Sequence, residues 1–384
     1  MPCPVPPDGG VSGADHPEGS GLDQELNSMV EEQEGDDRSA RAEAFVDKYG
    51  WSEAERAMLD SNAWDRPLIR LVDRTVEPPS QAVFMDWQAP GIIIQRFLRM
   101  QELLLSLGVT TPKTLARDMD EGFMLVKDFG EDLYSKLIDA GEDPKPLYTR
   151  ATKLLIAVQK RYAEPMGRGL KEFDAATFAD QAALFMDAYM RGVDLLPEDP
   201  MELQEMVETF LQVWEAALQP VYDLPQTLIL RDYIPENLMQ IDLSDEDNEL
   251  AEPSGLRQLG VLNFQDGGIG PGIFDLMSLL EDVRREVPAD LARAMCQGYL
   301  KSFPEIDPAK FQTAYNLLKA QRMTRVLGVF ARAAIDDDDD EKMQYVPRCW
   351  QLLEDVLAKE PKLDGVRDWF DRYVPTEFRA QVAG

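Results

Sequence analysis

The chain contains very little histidine and cysteine, and these two shortages exclude several classes of enzyme. The only histidine is His16, in an N-terminal stretch rich in Pro, Gly, Ser and acidic residues. A Ser-His-Asp triad, a His-based zinc site and a histidine phospho-carrier are therefore excluded from the folded part of the chain. Cys3, Cys296 and Cys349 are widely separated, so the sequence predicts neither a disulfide framework nor a CxxC metal site.

Positive charge and long apolar runs are also scarce. The 384 residues include 39 Lys and Arg against 71 Asp and Glu, which gives a formal net charge of −32. Nucleic acid and anionic membrane surfaces are therefore not expected as partners, because both require many basic contacts. No apolar run approaches the roughly 20 residues of a membrane span, and no basic region followed by an apolar stretch is visible at the N-terminus. We therefore expect a cytoplasmic location.

Residue patterning divides the chain into three parts. Residues 1–40 lack apolar periodicity and are predicted to be a disordered, acidic tail. Residues 41–130 are predicted to form a small mixed lobe of strands with one helix over 92–107. Residues 131–384 are predicted to form a larger, mainly helical lobe. The predicted strands lie at 68–72, 81–85, 122–128, 227–230, 238–241 and 259–264. The acidic residues 242–257 are interpreted as a long hairpin connection.

Two segments of the larger lobe carry the candidate chemistry. Residues 228–238 read Leu-Ile-Leu-Arg-Asp-Tyr-Ile-Pro-Glu-Asn-Leu, which places Asp232 and Asn237 on one loop between two strands. An Asp can orient or deprotonate an acceptor hydroxyl, and an Asn on the same loop can hold Mg²⁺. Residues 259–266 read Leu-Gly-Val-Leu-Asn-Phe-Gln-Asp, a strand end where a second metal ligand belongs. Taken alone, the Asp–Asn spacing is also typical of an Asp that caps a turn.

Residues 230–239 resemble the catalytic loop of the aminoglycoside phosphotransferase-like kinases. They look closest to the bacterial branch that phosphorylates the cell-wall amino sugars N-acetylmuramate and N-acetylglucosamine. Further stretches that resemble this family are residues 82–86, 97–104, 123–130, 264–271, 274–280, 327–332 and 347–350. The resemblance implies an α+β, bilobal protein-kinase-like fold, in which a small mixed β-sheet lobe precedes the larger helical lobe. It also implies ATP and Mg²⁺ as cofactors and a small-molecule acceptor, an amino sugar.

The resemblance assigns roles to residues of the central motifs. Asp232 would be the catalytic base, and Asn237 would ligate Mg²⁺. Asn263 stands where the family has its metal-chelating Asp, and Asp266 is a further candidate metal ligand. Asp275 opens a helix, where it could cap the helix and brace the catalytic loop by accepting backbone N–H bonds.

The resemblance also gives candidate nucleotide contacts in the small lobe. Glu102 lies on the predicted small-lobe helix, where an acid could pair with a basic nucleotide contact. Arg66 and Arg70 could reach a phosphate. For each of these three residues, an ordinary surface charge is the alternative interpretation.

The chain departs from the family pattern around the nucleotide. Leu230 replaces a usual His, and Asn263 is a neutral and poorer ligand for a hard cation than Asp. The phosphate-covering turn corresponds to residues 61–67, where Asp65 would repel a phosphate and Pro67 has no N–H to donate. Two hypotheses therefore stay open: an active sugar kinase, or a catalytically impaired pseudokinase that binds a nucleotide or a partner.

Overall fold

The computed structural model describes residues 37–59, 68–88, 91–241, 256–336 and 339–379. The chain divides into two compact units, Met1–Glu55 with Asp73–Ser80 and Arg56–Val72 with Gln81–Gly384. The second unit contains the predicted larger lobe and residues 56–72 and 81–130 of the predicted small lobe. The whole predicted phosphate turn, residues 61–67 with Arg66, and residues 242–255 of the acidic insertion lie outside the described residues.

The first unit contains a helix, α1, at residues 37–48. Asp37 and Arg41 form an ion pair across one helical turn, and the rings of Phe45 and Tyr49 lie 5.0 Å apart. Residues 37–40 are therefore helical, although the sequence places them in the disordered tail. The rest of that predicted tail lies outside the described residues.

A five-stranded sheet has the strand order β1-β2-β3-β5-β4. Its strands are β1 Glu55–Leu59, β2 Leu68–Asp73, β3 Ser80–Asp86, β4 Thr114–Asp118 and β5 Phe123–Lys127. β3 and β5 pair antiparallel, with Val83 opposite Val126. Helix α2, Ile92–Ser106, follows β3 and buries Ile94, Phe97 and Leu104. These residues lie on one face of the helix because they are spaced three and then seven residues apart. The sequence predicts β2, β3, β5 and α2 within a residue or two, and it misses β1 and β4.

The rest of the second unit is mainly helical. Its helices are α3 Tyr134–Asp139, α4 Pro144–Arg161, α5 Ala175–Ala182, α6 Pro200–Leu218, α7 Ile273–Leu280, α8 Ala289–Ser302, α9 Pro308–Asp336, α10 Val346–Leu357 and α11 Asp364–Tyr373, with a π-helical segment at Phe185–Met190. Asp143, Asp174 and Asp199 accept backbone N–H bonds at the starts of α4, α5 and α6, which is why each helix begins there. Among the described residues, no helix is long and apolar enough to cross a membrane.

Short strands connect these helices and form the frame of the site. They are β6 Lys171–Glu172, β7 Gln226–Ile229, β8 Leu238–Gln240, β9 Leu259–Val261 and β10 Gly268–Pro271. β10 lies between β6 and β7, and β8 pairs antiparallel with β9. The sequence predicts β7, β8 and β9, although β9 ends at Val261 rather than at the predicted residue 264.

Helix α9 runs through the core of the helical part, and its close packing predicts a mutational effect. A Cβ at Gly328 would lie 2.5 Å from the carbonyl carbon and oxygen of Leu184. Backbone atoms of a packed segment cannot move aside cheaply, so Gly328→Ala should lower the free energy of unfolding by about 1–2 kcal/mol, measured by urea denaturation.

Gly298 in α8 is the matched control, because a Cβ there meets no atom within 4 Å. Gly298→Ala should raise the free energy of unfolding by about 0.5–1 kcal/mol through helix propensity alone. Equal effects of the two substitutions would contradict the packing explanation.

Candidate active site

The loop with Asp232 and Asn237 is held between three short strands. β7 ends at Ile229, which pairs with Gly268 of β10, and β8 begins directly after Asn237. The N–H of Leu262 donates to the carbonyl of Asn237 at 2.8 Å. The pairing of β8 with β9 therefore brings the two motifs of the sequence side by side.

Asp232 is a partly exposed carboxylate among arginines. Its side chain is 27% exposed, and Nη1 of Arg322 lies 3.4 Å from its Oδ1. Burial alone would raise the pKa of Asp232, but the positive charges of Arg325, Arg322 and Arg231 outweigh that effect and lower the pKa to about 2. Asp232 is therefore ionised at neutral pH, as a group that takes up a hydroxyl proton must be.

The candidate metal ligands offer oxygen atoms from two segments. The amide nitrogen of Asn237 donates to the carbonyl of Asp232 at 2.7 Å, which leaves its Oδ1 for a cation. The Oδ1 of Asn263 accepts a 2.8 Å hydrogen bond from Nε2 of Gln265. Asp266 is 51% exposed and lies 4.0 Å from Arg96 in a weak ion pair. Oxygen donors of this kind suit Mg²⁺, although Asp266 is the only carboxylate of the three.

The backbone of Asn263 has φ 51°, in the left-handed region. Asn and Asp are the side chains that tolerate this region best after glycine. The left-handed backbone therefore explains why a small polar residue occupies position 263. It suits both Asn and Asp, so it does not explain why the residue is an amide rather than a carboxylate.

One cavity of about 630 Å³ contains most of the predicted site. Its lining includes Asp232, Asn237, Asn263 and Asp266 together. Glu102 is exposed on α2 and does not line this cavity, so the surface-charge interpretation of Glu102 is favoured over a nucleotide contact.

The guanidinium of Arg70 already has partners in the protein, whereas its predicted role requires it to be available for a phosphate. Its guanidinium forms ion pairs with Asp128 and Glu131 and donates to the carbonyl of Gly130 at 2.7 Å. Its Nε lies 2.5 Å from the buried carboxylate of Asp128. Arg70 is therefore already neutralised at the segment after β5, which favours a structural role for it over the predicted phosphate contact.

Asp275 braces the catalytic loop, as the sequence predicts. Its two carboxylate oxygens accept the backbone N–H groups of Leu230 at 2.7 Å and Arg231 at 2.8 Å. Arg231 has φ 70°, a conformation that costs a residue with a side chain about 1–2 kcal/mol. The predicted helix-capping role is wrong, because no side chain caps α7. Burial raises the pKa of Asp275 to about 7, against the opposing effect of those N–H bonds.

A second buried acid holds the other end of the same loop. Glu236 precedes Asn237 and forms an ion pair with Arg285, which also binds Asp139 at 2.7 Å. Burial and the nearby Asp282 raise the pKa of Glu236 to about 7. Burial would also raise the pKa of Asp282, but Arg284 and a hydrogen bond with Glu236 lower it. Of these two acids, Glu236 is therefore the one that takes up a proton more readily.

The sequence pattern does not identify the arginines of α9 as site residues. Arg322 and Arg325 line the cavity, and Arg322 also donates to the carbonyl of Arg231 at 3.3 Å. The available signal was a pair of arginines three residues apart in the middle of a long helix, directly before the apolar run 326–331. Such a pair requires an anionic partner when the helix is buried.

Solved structures share this architecture at low sequence identity. A choline/ethanolamine kinase family protein from Mesorhizobium loti is 15% identical, with a TM-score of 0.54, covering 87% of this chain and 99% of its own. A microcompartment-associated aminopropanol kinase is 13% identical, with a TM-score of 0.52, covering 90% and 99%. The chain thus has the bilobal, protein-kinase-like fold that its resemblance predicts.

Comparison at the sequence level is more specific. The model of the phosphotransferase enzyme family matches residues 92–312. An N-acetylmuramate/N-acetylglucosamine kinase of Caulobacter vibrioides is 32% identical over 296 residues, 74% of this chain and 76% of that protein. A protein of the same name in Pseudomonas aeruginosa is 29% identical over 349 residues, 88% and 93% of the two chains. The chain belongs to the phosphotransferase enzyme family, and the predicted family is confirmed.

Proposed function

We propose that this chain is a kinase that uses ATP and Mg²⁺ to phosphorylate a hydroxyl group of an amino sugar. The observation that carries the proposal is the meeting of Asp232, Asn237, Asn263 and Asp266 in one cavity. The names of the two bacterial relatives support an amino sugar as the acceptor.

Asp232 acts on the acceptor hydroxyl in this proposal. Arg322 lies near Oδ1, which leaves Oδ2 to accept the hydroxyl hydrogen. The acceptor oxygen bonds to the γ-phosphorus, the bond from phosphorus to the β–γ bridging oxygen breaks, and the hydroxyl proton passes to Asp232 as ADP leaves. A carboxylate with a pKa of about 2 is a weak base, so Asp232 mainly orients the hydroxyl until bond formation makes it acidic.

Asn237, Asn263 and Asp266 would hold Mg²⁺, since each supplies an oxygen to the cavity. Bound Mg²⁺ would neutralise charge on the phosphates of ATP. Only one of these three ligands is a carboxylate. The set would therefore hold a cation less firmly than a set of ligands in which residue 263 is an Asp.

The test is an ADP-release assay with MgATP and a panel of acceptors: N-acetylmuramate, N-acetylglucosamine, choline and aminopropanol. We expect ADP release that depends on an amino sugar and stops when Mg²⁺ is chelated. ADP release at the no-acceptor rate with both sugars would contradict the proposal.

A second function is favoured by the hydrogen bond between Gln265 and Asn263. The oxygen that would ligate the metal is already an acceptor, as expected of a module that binds a nucleotide without turning it over. In that case the chain would bind ATP equally well with and without Mg²⁺ and would release no ADP with any acceptor.

Replacing Asn263 with Asp should distinguish these two functions. The carboxylate suits the left-handed backbone, still accepts from Gln265 and gives the cation a charged ligand. We expect the Mg²⁺ concentration for half-maximal activity to fall by about tenfold, a difference of about 1.4 kcal/mol. The Mg²⁺ dependence of ADP release measures it.

Asn263→Ala is the matched control, since it removes the oxygen and should shift the Mg²⁺ dependence in the opposite direction. If neither substitution changes the Mg²⁺ dependence of activity or of nucleotide binding, residue 263 does not ligate the metal.

A further inference from the structure

Arg325 is a cation of the candidate cavity that bonds to no residue in the described part of the chain. It lies on α9, lines the cavity with Asp232, and makes no hydrogen bond or ion pair with any residue that the structure describes. Its guanidinium is only partly exposed. A cation held away from solvent is unfavourable unless an anion compensates it.

The surroundings of Arg325 have an excess of positive charge. Burial and the charges of Arg231 and Arg322 lower the pKa of Arg325 to about 10, while Asp232 acts in the opposite direction. Three guanidinium groups therefore lie close to one catalytic carboxylate, in a chain whose net charge is −32. Nε of Arg231 is also buried and has no hydrogen-bond partner in the described part of the chain.

Contacts within the protein account for the other two arginines better than for Arg325. Arg322 bonds to Asp232 and to the carbonyl of Arg231. Arg231 lies over the ring of Phe173 at 5.0 Å and contacts Gln181 at 3.4 Å. Arg325 is therefore the guanidinium that remains for a ligand.

We propose that Arg325, with Arg231 and Arg322 beside it, forms an oxyanion-binding subsite next to Asp232, filled by a reactant when the site is loaded. The proposal rests on the proposed kinase function. Two reactant groups have the required chemistry: a carboxylate on the acceptor sugar, and the oxygens of the phosphoryl group during transfer. Arg325 lines the same cavity as Asp232 and Asp266, which places the subsite close to the reacting atoms of the proposed mechanism.

The experiment compares wild type, Arg325→Gln and Arg325→Lys with two acceptors. N-acetylmuramate carries a carboxylate, and N-acetylglucosamine is its counterpart without the lactyl group. Arg293→Gln is the matched control, because Arg293 is an exposed arginine of α8 outside the cavity. Thermal melting of each variant checks that it folds, and Arg325→Lys should retain part of the activity because it keeps the charge.

The two sources of the oxyanion give different kinetic results. If the acceptor carboxylate fills the subsite, Arg325→Gln should lower kcat/KM for N-acetylmuramate by about 100-fold, mainly through KM, and leave N-acetylglucosamine within about threefold. If the phosphoryl oxygens fill it, kcat should fall by about 100-fold for both acceptors with little change in KM. Kinetics within about threefold of wild type for both acceptors would overturn the subsite.

A binding measurement separates this proposal from the proposed function. If wild type phosphorylates neither sugar, the function fails while the subsite is still tested by titrating inorganic phosphate and N-acetylmuramate without ATP. Wild type should bind at least one of these anions, and Arg325→Gln should weaken its binding by about tenfold. Equal affinity of the two proteins for both anions, or no binding of either by wild type, would overturn the subsite.

Discussion

Replacing Asp232 with Asn should lower kcat for phosphoryl transfer by about 10³-fold, the range expected when a positioned acid–base group is removed. The amide has nearly the same shape as the carboxylate, but its oxygen is a weak proton acceptor. At neutral pH the wild-type group is ionised, since its pKa lies at about 2. The loss should therefore appear in kcat and leave KM for ATP nearly unchanged, because the proposed mechanism places Asp232 on the acceptor side.

The substitution also changes the charge balance of the cavity. Without Asp232, Arg231, Arg322 and Arg325 lose the anion that all three approach, so inorganic phosphate should bind at least as tightly as to wild type. ADP release at saturating acceptor and a phosphate titration measure the two effects. Asp290→Asn in α8 is the matched control, because Asp290 is exposed and lies outside the cavity. Asp232→Asn with more than about a tenth of wild-type kcat would remove Asp232 from the mechanism.

The local sequence pattern predicts those parts of the fold that depend on neighbouring residues. Helix α2 follows from the spacing of Ile94, Phe97 and Leu104, and β3 and β5 follow from short apolar runs. β10 escapes prediction because Gly268–Pro271 has no strand pattern of its own. It is a strand because β6 and β7 lie on either side of it, and such tertiary pairing overrides local preference.

The site residues differ in the same way: those that depend on neighbouring residues are predicted, and those that depend on residues distant in the sequence are not. Asp232 and Asn237 are recognisable because their proposed functions depend on one loop, and Asn263 lies beside them through the pairing of β8 with β9. The roles of Arg70 and Arg325 depend on groups that are distant in the sequence. Arg70 binds a carboxylate 58 residues away, and Arg325 reaches the catalytic loop from α9. The charge of a side chain can be read from the sequence, but the partner that determines the role of that side chain cannot.

Asp275 is the position where loss of stability and loss of activity should coincide. Asn at this position could accept only one of the N–H bonds from Leu230 and Arg231, and its amide N–H₂ would face the other donor. The variant would therefore leave one buried backbone N–H unpaired and facing the amide N–H₂ group, which repels it. This should lower the free energy of unfolding by about 3 kcal/mol. Because Arg231 has φ 70°, the released loop should also relax and move Asp232, so kcat should fall by about 100-fold.

Ser278 of the same helix provides the control for Asp275→Asn. Its side chain is equally buried, but its hydroxyl has no hydrogen-bond partner in the described part of the chain. Ser278→Ala should therefore leave the free energy of unfolding unchanged or raise it slightly, since no bond is lost and an unpaired polar group is removed. Urea denaturation and ADP release are measured on both variants. An Asp275→Asn protein within about 1 kcal/mol of wild type, with wild-type kcat, would mean that the loop keeps its conformation without the carboxylate.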